Sequence, residues 1–242
     1  MMTIKQSTVG VFMVLLAVAA GLVMSVRFTI AHETVSGVNS KLYEANKVLS
    51  ASGVSLADSS WRGLEAQAER AVRIAPHSGY YWNALARVYY VPRTVGGTAI
   101  SPNYLAAYQA ARKAVVALPS SGYAWLSLAY ASDHVFAQNQ LPGGKAAMEQ
   151  AITRTLILGS HEPQLLGGVI DLGLANWPNL GAAAKQDVLR AVAHLSQQNK
   201  GDVMAIADRR GALPMVCAEK ILASHRVCMD LSNTLPLKKA AA

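Results

Sequence analysis

Ala71-Val72-…-Pro76-…-Ser78-Gly79-Tyr80-…-Trp82-…-Leu85-Ala86 recurs 43 residues later as Ala114-Val115-…-Pro119-…-Ser121-Gly122-Tyr123-…-Trp125-…-Leu128-Ala129. Self-similarity at a fixed period predicts repeated structural units, each too small to bury its apolar face alone and each packed on its neighbour. A repeat scaffold offers surface rather than a ready-made nucleophile, so the echo points to architecture before chemistry. The helical character of the repeat follows from its spacing. Leu64, Ala68, Ala71, Val72 and Ala75 fall at intervals of three and four, which predicts a helix from Trp61 to Ala75, with Ser60 as N-cap and Pro76 as its stop.

Helices are expected outward from there on both sides. Val35, Val38, Leu42, Ala45 and Leu49 form a helical stripe over residues 33–50, followed by a polar break over 52–60. Gly79 to Val91 reads as a helix that stops at Pro92, and Pro92 to Ile100, rich in breakers, reads as a loop. Ser101-Pro102 reads as N-cap and first helical position of a helix to about Leu118. Further helices are expected over 122–136, 145–158 and, opened by Glu162-Pro163, to Ala175, where Trp177-Pro178 interrupts. The segment 180–198 carries Val188, Leu189, Val192 and Leu195 on one side. Asn199-Lys200-Gly201 reads as a turn before two last helices, 202–209 and 214–231. No strand pattern is evident.

Trp82-x-x-Leu85-Ala86-x-x-Tyr89 has the spacing of the first helix of a tetratricopeptide repeat, and Ala107-x3-Ala111-x2-Ala114-x4-Pro119 that of its second helix, with Ala in place of the aromatic. The chain therefore resembles a tetratricopeptide-repeat protein. Against a standard unit of about 34 residues, the period of 43 implies a nine-residue insertion between the two helices, at Pro92–Ile100. Small residues at 86, 107, 111 and 114 permit close helix approach, and large ones at 82, 85 and 89 fill the space to the next pair. Leu64-x3-Ala68-x2-Ala71-x4-Pro76 looks like the closing helix of an earlier unit. Trp125-x-x-Leu128-Ala129 opens a later one, which departs at Ser132 where Tyr is expected and continues into a degenerate helix with Met148, Ile152 and Thr155. The resemblance implies an all-α, antiparallel helix-pair solenoid over residues 31–178, with capping helices over 179–231 and a loose tail over 232–242. Packing is assigned to Trp82, Leu85, Ala86, Tyr89, Trp125, Leu128 and Ala129.

Residues 1–30 form a separate segment. No charge occurs between Lys5 and Arg27, leaving 21 residues from Gln6 to Val26. At about 1.5 Å per residue that run spans a hydrocarbon core of roughly 30 Å. An uncleaved transmembrane anchor is expected, because apolar residues continue past Ala17-Val18-Ala19. That tripeptide is a possible small-x-small exit for a cleaved signal, which is the alternative. Basic residues lie on both sides, so the positive-inside rule is not decisive. From the short N-terminal flank, a main body that is periplasmic or otherwise extracytoplasmic is expected.

The remainder restricts function. The chain is 52% hydrophobic, only 15% charged, and carries a net charge of +8. Its Lys and Arg are spread thinly, with Arg112-Lys113, Arg209-Arg210 and Lys238-Lys239 as adjacent pairs, so a nucleic-acid partner is not expected. Its histidines, at 32, 77, 134, 161, 194 and 225, include no pair at the i, i+4 spacing of a helical metal site. Gly143-Gly144-Lys145 is followed by Ala and is no phosphate loop, Gly-x-Ser-x-Gly is absent, and no close acidic pair suggests glycoside hydrolysis. No enzyme activity, cofactor or metal is expected. Cys217 and Cys228 either pair in an oxidising compartment or remain buried thiols.

One N-terminal span, degenerate repeats with long loops, Leu158-Gly159-Ser160-His161-Glu162-Pro163-Gln164-Leu165-Leu166 and Asp171-Leu172-Gly173-Leu174-Ala175-Asn176-Trp177 together also resemble the VpsP-type polysaccharide-biosynthesis family. The motifs are short, and Ser160 stands where such Leu-Gly-Pro turns commonly carry Pro. This likeness implies an accessory role in making or exporting a surface polysaccharide, with inner-membrane envelope proteins as partners. In a tetratricopeptide array the concave groove is lined by first-helix positions beside the packing ones. These are Tyr80, Asn83, Arg87 and Tyr90 in one copy, and Tyr123, Leu126, Tyr130 and Asp133 in the other. Such an amphipathic trough suits an extended peptide or a glycan; the alternative is that the tyrosines fill space between helices.

Overall fold

The computed structural model describes residues 4–52, 55–138 and 143–218. Among these residues it is mostly helical, with ten α-helices packed largely in sequential pairs, and it divides into two compact units, Met1–Asn103 and Tyr104–Ala242.

The first unit is built on one long helix, α1 (Ile4–Ser52). The expected anchor and the expected helix over 33–50 are thus a single uninterrupted element. Nothing between Arg27 and Glu33 breaks a helix, and Gly37 sits on an open face where an added Cβ would meet nothing within 4 Å. From Met13 to Ile30 every side chain is exposed, Met13 and Leu22 at 64%. The hydroxyls in and just beyond this stretch are satisfied by the helix itself: Ser25 Oγ donates to the Gly21 carbonyl (2.9 Å), Thr29 Oγ1 to Ser25 (3.0 Å) and Thr34 Oγ1 to Ile30 (2.7 Å). At Ala31 the pattern changes. Ala31, Val35 and Val38 are 0% exposed and Leu42 1%, a 4-3-4 stripe that packs on α2 (Asp58–Ile74) and α3 (Gly79–Tyr90). Burying Val35, Val38 and Leu42 stabilises this contact by roughly 1.5–3 kcal/mol each. Met13–Ala45 is the segment, among the described residues, long and apolar enough to be a membrane span or a signal segment.

Helices α2 and α3 form an antiparallel hairpin. Trp61, Leu64, Ala68, Ala71 and Val72 face inward from α2, and the Trp61 indole N–H donates to the Val88 carbonyl of α3 (3.0 Å). Helix α2 begins earlier than the sequence suggests. Ser60 lies within its first turn instead of capping it, Ala57 is the N-cap and gives no side-chain bond, and Asp58 supplies a favourable first-turn charge.

Two segments expected to be irregular carry strands. β1 (Leu56–Ala57), β2 (Arg93–Val95) and β3 (Thr98–Ile100) form a small sheet in that order. β1 pairs parallel to β2, with Leu56 opposite Arg93, and β2 pairs antiparallel to β3, with Val95 opposite Thr98. The Pro92–Ile100 insertion is therefore a hairpin. Its turn residues Gly96 and Gly97 have φ of 56° and 82°, the left-handed pair that matches strand twist in a two-residue connection. Arg93 fixes the hairpin to α2, with its guanidinium 4.2 Å from the Trp61 ring centroid and 3.5 Å from Asp58 Oδ1.

The second unit contains α4 (Tyr104–Ala117), α5 (Gly122–Ala137), α6 (Gly144–Gly159), α7 (Pro163–Ala175), a 3₁₀ turn (Trp177–Asn179), α8 (Ala182–Gln198), α9 (Lys200–Arg209) and α10 (Leu213–Cys217). Ser101-Pro102 does not open α4. Its first turn starts at Tyr104, and the Asn103 N–H donates to the Tyr89 carbonyl (3.0 Å). Asn199 caps α9, its side chain accepting from Asp202 N, so Lys200 and Gly201 are helical rather than part of a turn. The degenerate helix α6 is nonetheless core, with Met148, Ile152 and Thr155 all 0% exposed. Glycines set close contacts in this unit: a Cβ at Gly159 of α6 would lie 2.1 Å from Leu165 Cδ1 of α7, and one at Gly173 of α7 2.2 Å from Val188 Cγ2 of α8. Val188, Val192 and Leu195 of α8 are buried as expected. Of the expected helix over 214–231, residues beyond 218 lie outside the described residues, as does the tail over 232–242.

Candidate functional site

The duplicated residues build the same local device twice. Ser78 and Ser121 are both N-caps in extended conformation, and their side chains accept from Tyr81 N (3.4 Å) and Ala124 N (3.2 Å). Six residues before each tryptophan stands a proline whose carbonyl takes the indole N–H: Trp82 Nε1 to Pro76 O and Trp125 Nε1 to Pro119 O, both 2.8 Å. Each tryptophan pins the turn it grows from and stays partly exposed, while Leu85, Ala86, Leu128 and Ala129 are buried. Tyr89 packs on Trp61 (ring centroids 6.4 Å apart) and donates to Glu69 Oε1 (3.3 Å). Its phenol is pushed up to about 12 by burial, with the Glu69 and Glu65 carboxylates adding to it. Ser132 replaces that tyrosine in the second copy, and its buried Oγ has no hydrogen-bond partner among the described residues.

The eight groove candidates fall into two sets, one in each compact unit. In the first, Tyr80 and Arg87 converge on a single residue of α1. Asn39 Nδ2 donates to the Tyr80 hydroxyl (2.9 Å), and Arg87 Nη1 donates to Asn39 Oδ1 (3.0 Å). His32, also on α1, stacks on the Tyr80 ring at 6.0 Å. Asn83 is half-buried, and its Oδ1 is enclosed without a partner among the described residues. Tyr90 is half-buried at the end of α3.

In the second set, Tyr123, Leu126 and Tyr130 all meet α7. Tyr123 donates to Gln164 Oε1 (3.4 Å), and a Cβ at Gly168 would lie 2.6 Å from Leu126 Cδ2, so α5 and α7 approach closely there. The Tyr130 hydroxyl lies 3.3 Å from the Gly168 carbonyl and 3.4 Å from Asp171 Oδ2. Asp171 is gripped from α9 and the residue that caps it. Arg210 binds both carboxylate oxygens (Nε–Oδ1 2.9 Å, Nη2–Oδ2 2.6 Å), and Arg209 Nη2 reaches Oδ1 at 3.1 Å. Asp133, one turn on, lies beside a stacked pair, Tyr104 of α4 and His134 of α5, whose ring centroids are 4.0 Å apart.

The electrostatics of this cluster are those of a fixed bracket. Burial raises the Tyr130 phenol, and the Asp171 carboxylate raises it further. Burial also works against ionisation of Asp171, but the hydrogen bonds and charges of Arg210 and then Arg209 outweigh it and hold the carboxyl below its ordinary range. Near neutral pH Tyr130 therefore keeps its proton and Asp171 its charge. Burial lowers the His134 imidazole, with Asp133 opposing.

Asn39, Gln164, Asp171 and Arg209-Arg210 are the partners that repeat spacing alone does not identify. The adjacent arginines stand out in the sequence as a basic pair, but their carboxylate lies 38 or more residues away. Among the described residues no group of three or more His, Cys, Asp and Glu is placed to hold a metal ion. Cys217 ends α10 and carries no free thiol; Cys228 lies outside the described residues. No protein-family model matches this chain, and no curated protein matches it in sequence.

Proposed function

We propose that this protein is a membrane-anchored helical-repeat scaffold that holds other envelope proteins together and performs no catalysis itself. The observation that carries the reading is the double use of α1. Its first part is apolar and exposed all round, and its second part is the packing partner of α2 and α3. A helix of this kind joins a span to a folded body without a flexible linker. The tetratricopeptide-like spacing of the duplicated helices supports a surface for partner proteins. The short motifs at 158–166 and 171–177 support a place among inner-membrane components of exopolysaccharide synthesis or export, with the body in the periplasm. In that compartment Cys217 and Cys228 would meet oxidising conditions.

A groove that takes a glycan or peptide directly is the second reading. It rests on the partly exposed tyrosines Tyr80 and Tyr123, at 40% and 43%. It would require Tyr80 and Arg87 to give up Asn39, and Tyr130 to give up Asp171.

The test is affinity purification of the full chain from detergent-solubilised membranes, with and without Tyr80→Ala, Arg87→Ala and Tyr130→Ala. The scaffold reading expects co-purifying envelope proteins and no retention of the cognate polysaccharide. Polysaccharide retained by the wild-type chain and lost in the variants, with no protein partner recovered, contradicts it.

A further inference from the structure

The way α1 carries the first unit sets which end of that unit meets the bilayer. The apolar run ends at Val26 and Arg27, and the first packing residue is Ala31. Helix α3 runs alongside α1 in the same direction. Tyr80 at its start stacks on His32 and bonds Asn39, and Arg87, two turns on, bonds Asn39. Helix α2 runs the opposite way, since Trp61 at its start meets Val88 near the end of α3. The α2–α3 turn, Ala75 to Ser78, therefore points back toward the apolar run. The small sheet lies at the other end, against the start of α2.

Distances along α1 place the turn more closely. The Tyr80 ring stacks on His32, six residues past Val26 or about 9 Å along the helix, and the turn lies on the bilayer side of Tyr80. The headgroup layer adds about 5–8 Å on each side of the hydrocarbon core. The residues presented there suit an interface. Arg73, which also pairs with Glu69 (3.4 Å), Pro76 and His77 are exposed, and an arginine binds phosphate.

We propose that the α2–α3 turn, with Arg73 and His77, seats in the phospholipid headgroup layer of the bilayer that α1 spans. The first unit then touches the membrane at two places, the helix and the turn, and its orientation about the α1 axis is fixed. This rests on the reading of α1 as a membrane span.

The test uses the full chain reconstituted into phosphatidylcholine–phosphatidylglycerol vesicles. A fluorophore is attached at His77→Cys or, separately, at Thr98→Cys in the hairpin, and a quencher is carried on a lipid headgroup. Both positions are exposed and lie at opposite ends of α3, about 18 Å apart along its axis or more. Quenching several-fold stronger at position 77 than at position 98 is expected. Equal, weak quenching at both sites, in protein that alkaline carbonate fails to extract, overturns the proposal while leaving the span intact. Release of the protein by carbonate overturns the span reading, and the proposal with it.

Discussion

The two copies of the repeat start alike and end differently. Ser78 and Ser121 cap their helices with the same geometry, and Trp82 and Trp125 bond the same proline carbonyl at the same distance. Seven residues after the two equivalent tyrosines, one copy has Arg87 and the other Tyr130, and the partners diverge. Arg87 and Tyr80 are held by an amide on α1, a helix that precedes them in the chain. Tyr123 and Tyr130 are held by α7, which follows, the first through the Gln164 amide and the second through the Asp171 carboxylate, itself bound by two arginines. Shared residues thus specify how each helix begins, and differing residues select the helix that covers it.

If that division is correct, the two positions are not interchangeable. Tyr130→Arg brings a third guanidinium to a carboxylate that already has two, inside a close-packed helix contact. Loss on the order of 3 kcal/mol is expected. Arg87→Tyr removes the hydrogen bond to Asn39 at a half-exposed site and is expected to cost about 1 kcal/mol. Denaturant unfolding of both variants in the same detergent checks this, and equal losses would dissolve the distinction. Next in size is steric contrast between the covering helices. Gly168→Leu drives a side chain into Leu126 and is expected to cost about 1–3 kcal/mol, partly recovered by adding Leu126→Ala. Gly37→Ala on the open face of α1 meets nothing within 4 Å and is expected to stabilise by about 0.5–1 kcal/mol. Thermal melts of the two glycine variants should move in opposite directions.

Asn39→Ala removes both bonds that α1 makes to Tyr80 and Arg87, with an expected cost of about 1 kcal/mol confined to the first unit. Hydrogen exchange should show faster exchange in α3 and unchanged exchange in α5; acceleration in both would contradict it. The smallest expected effect belongs to acid. The Asp171 carboxyl is held below its ordinary range in the folded chain. It contributes stability above the unfolded carboxylate value, near 3.8, and that contribution is lost as pH falls through the lower folded value. Asp171→Asn should flatten the stability profile in that acid window, and an unaltered profile would mean the arginines do not hold the carboxylate.

The helical course of the chain was legible because its punctuation is strong. Pro76, Pro119 and Pro163 mark helix boundaries, and the three-and-four spacing of Leu64, Ala68, Ala71 and Val72 marks a buried face. The hairpin over 93–100 was not, because its strands are three residues long, too short for alternation to register. Only the left-handed Gly96-Gly97 pair carries a hairpin signal. The merging of the anchor with the following helix was hidden by a change of environment at Ala31 that resembles a boundary in composition yet involves no break in backbone. The eight groove positions were locatable from the period, but their partners were not. Asn39, Gln164 and Asp171 stand some 40 residues away, and which helix covers a repeat face depends on tertiary packing rather than local pattern.

The account depends most on α1 being one rigid helix from bilayer to body. Spin labels at Ser25→Cys and Tyr43→Cys, both exposed on α1, test it in reconstituted vesicles. Their backbones are separated by 18 residues, about 27 Å along a continuous helix. A single narrow distance distribution near that value is predicted. A broad distribution, or one centred well below it, would show a hinge between span and body and contradict the account.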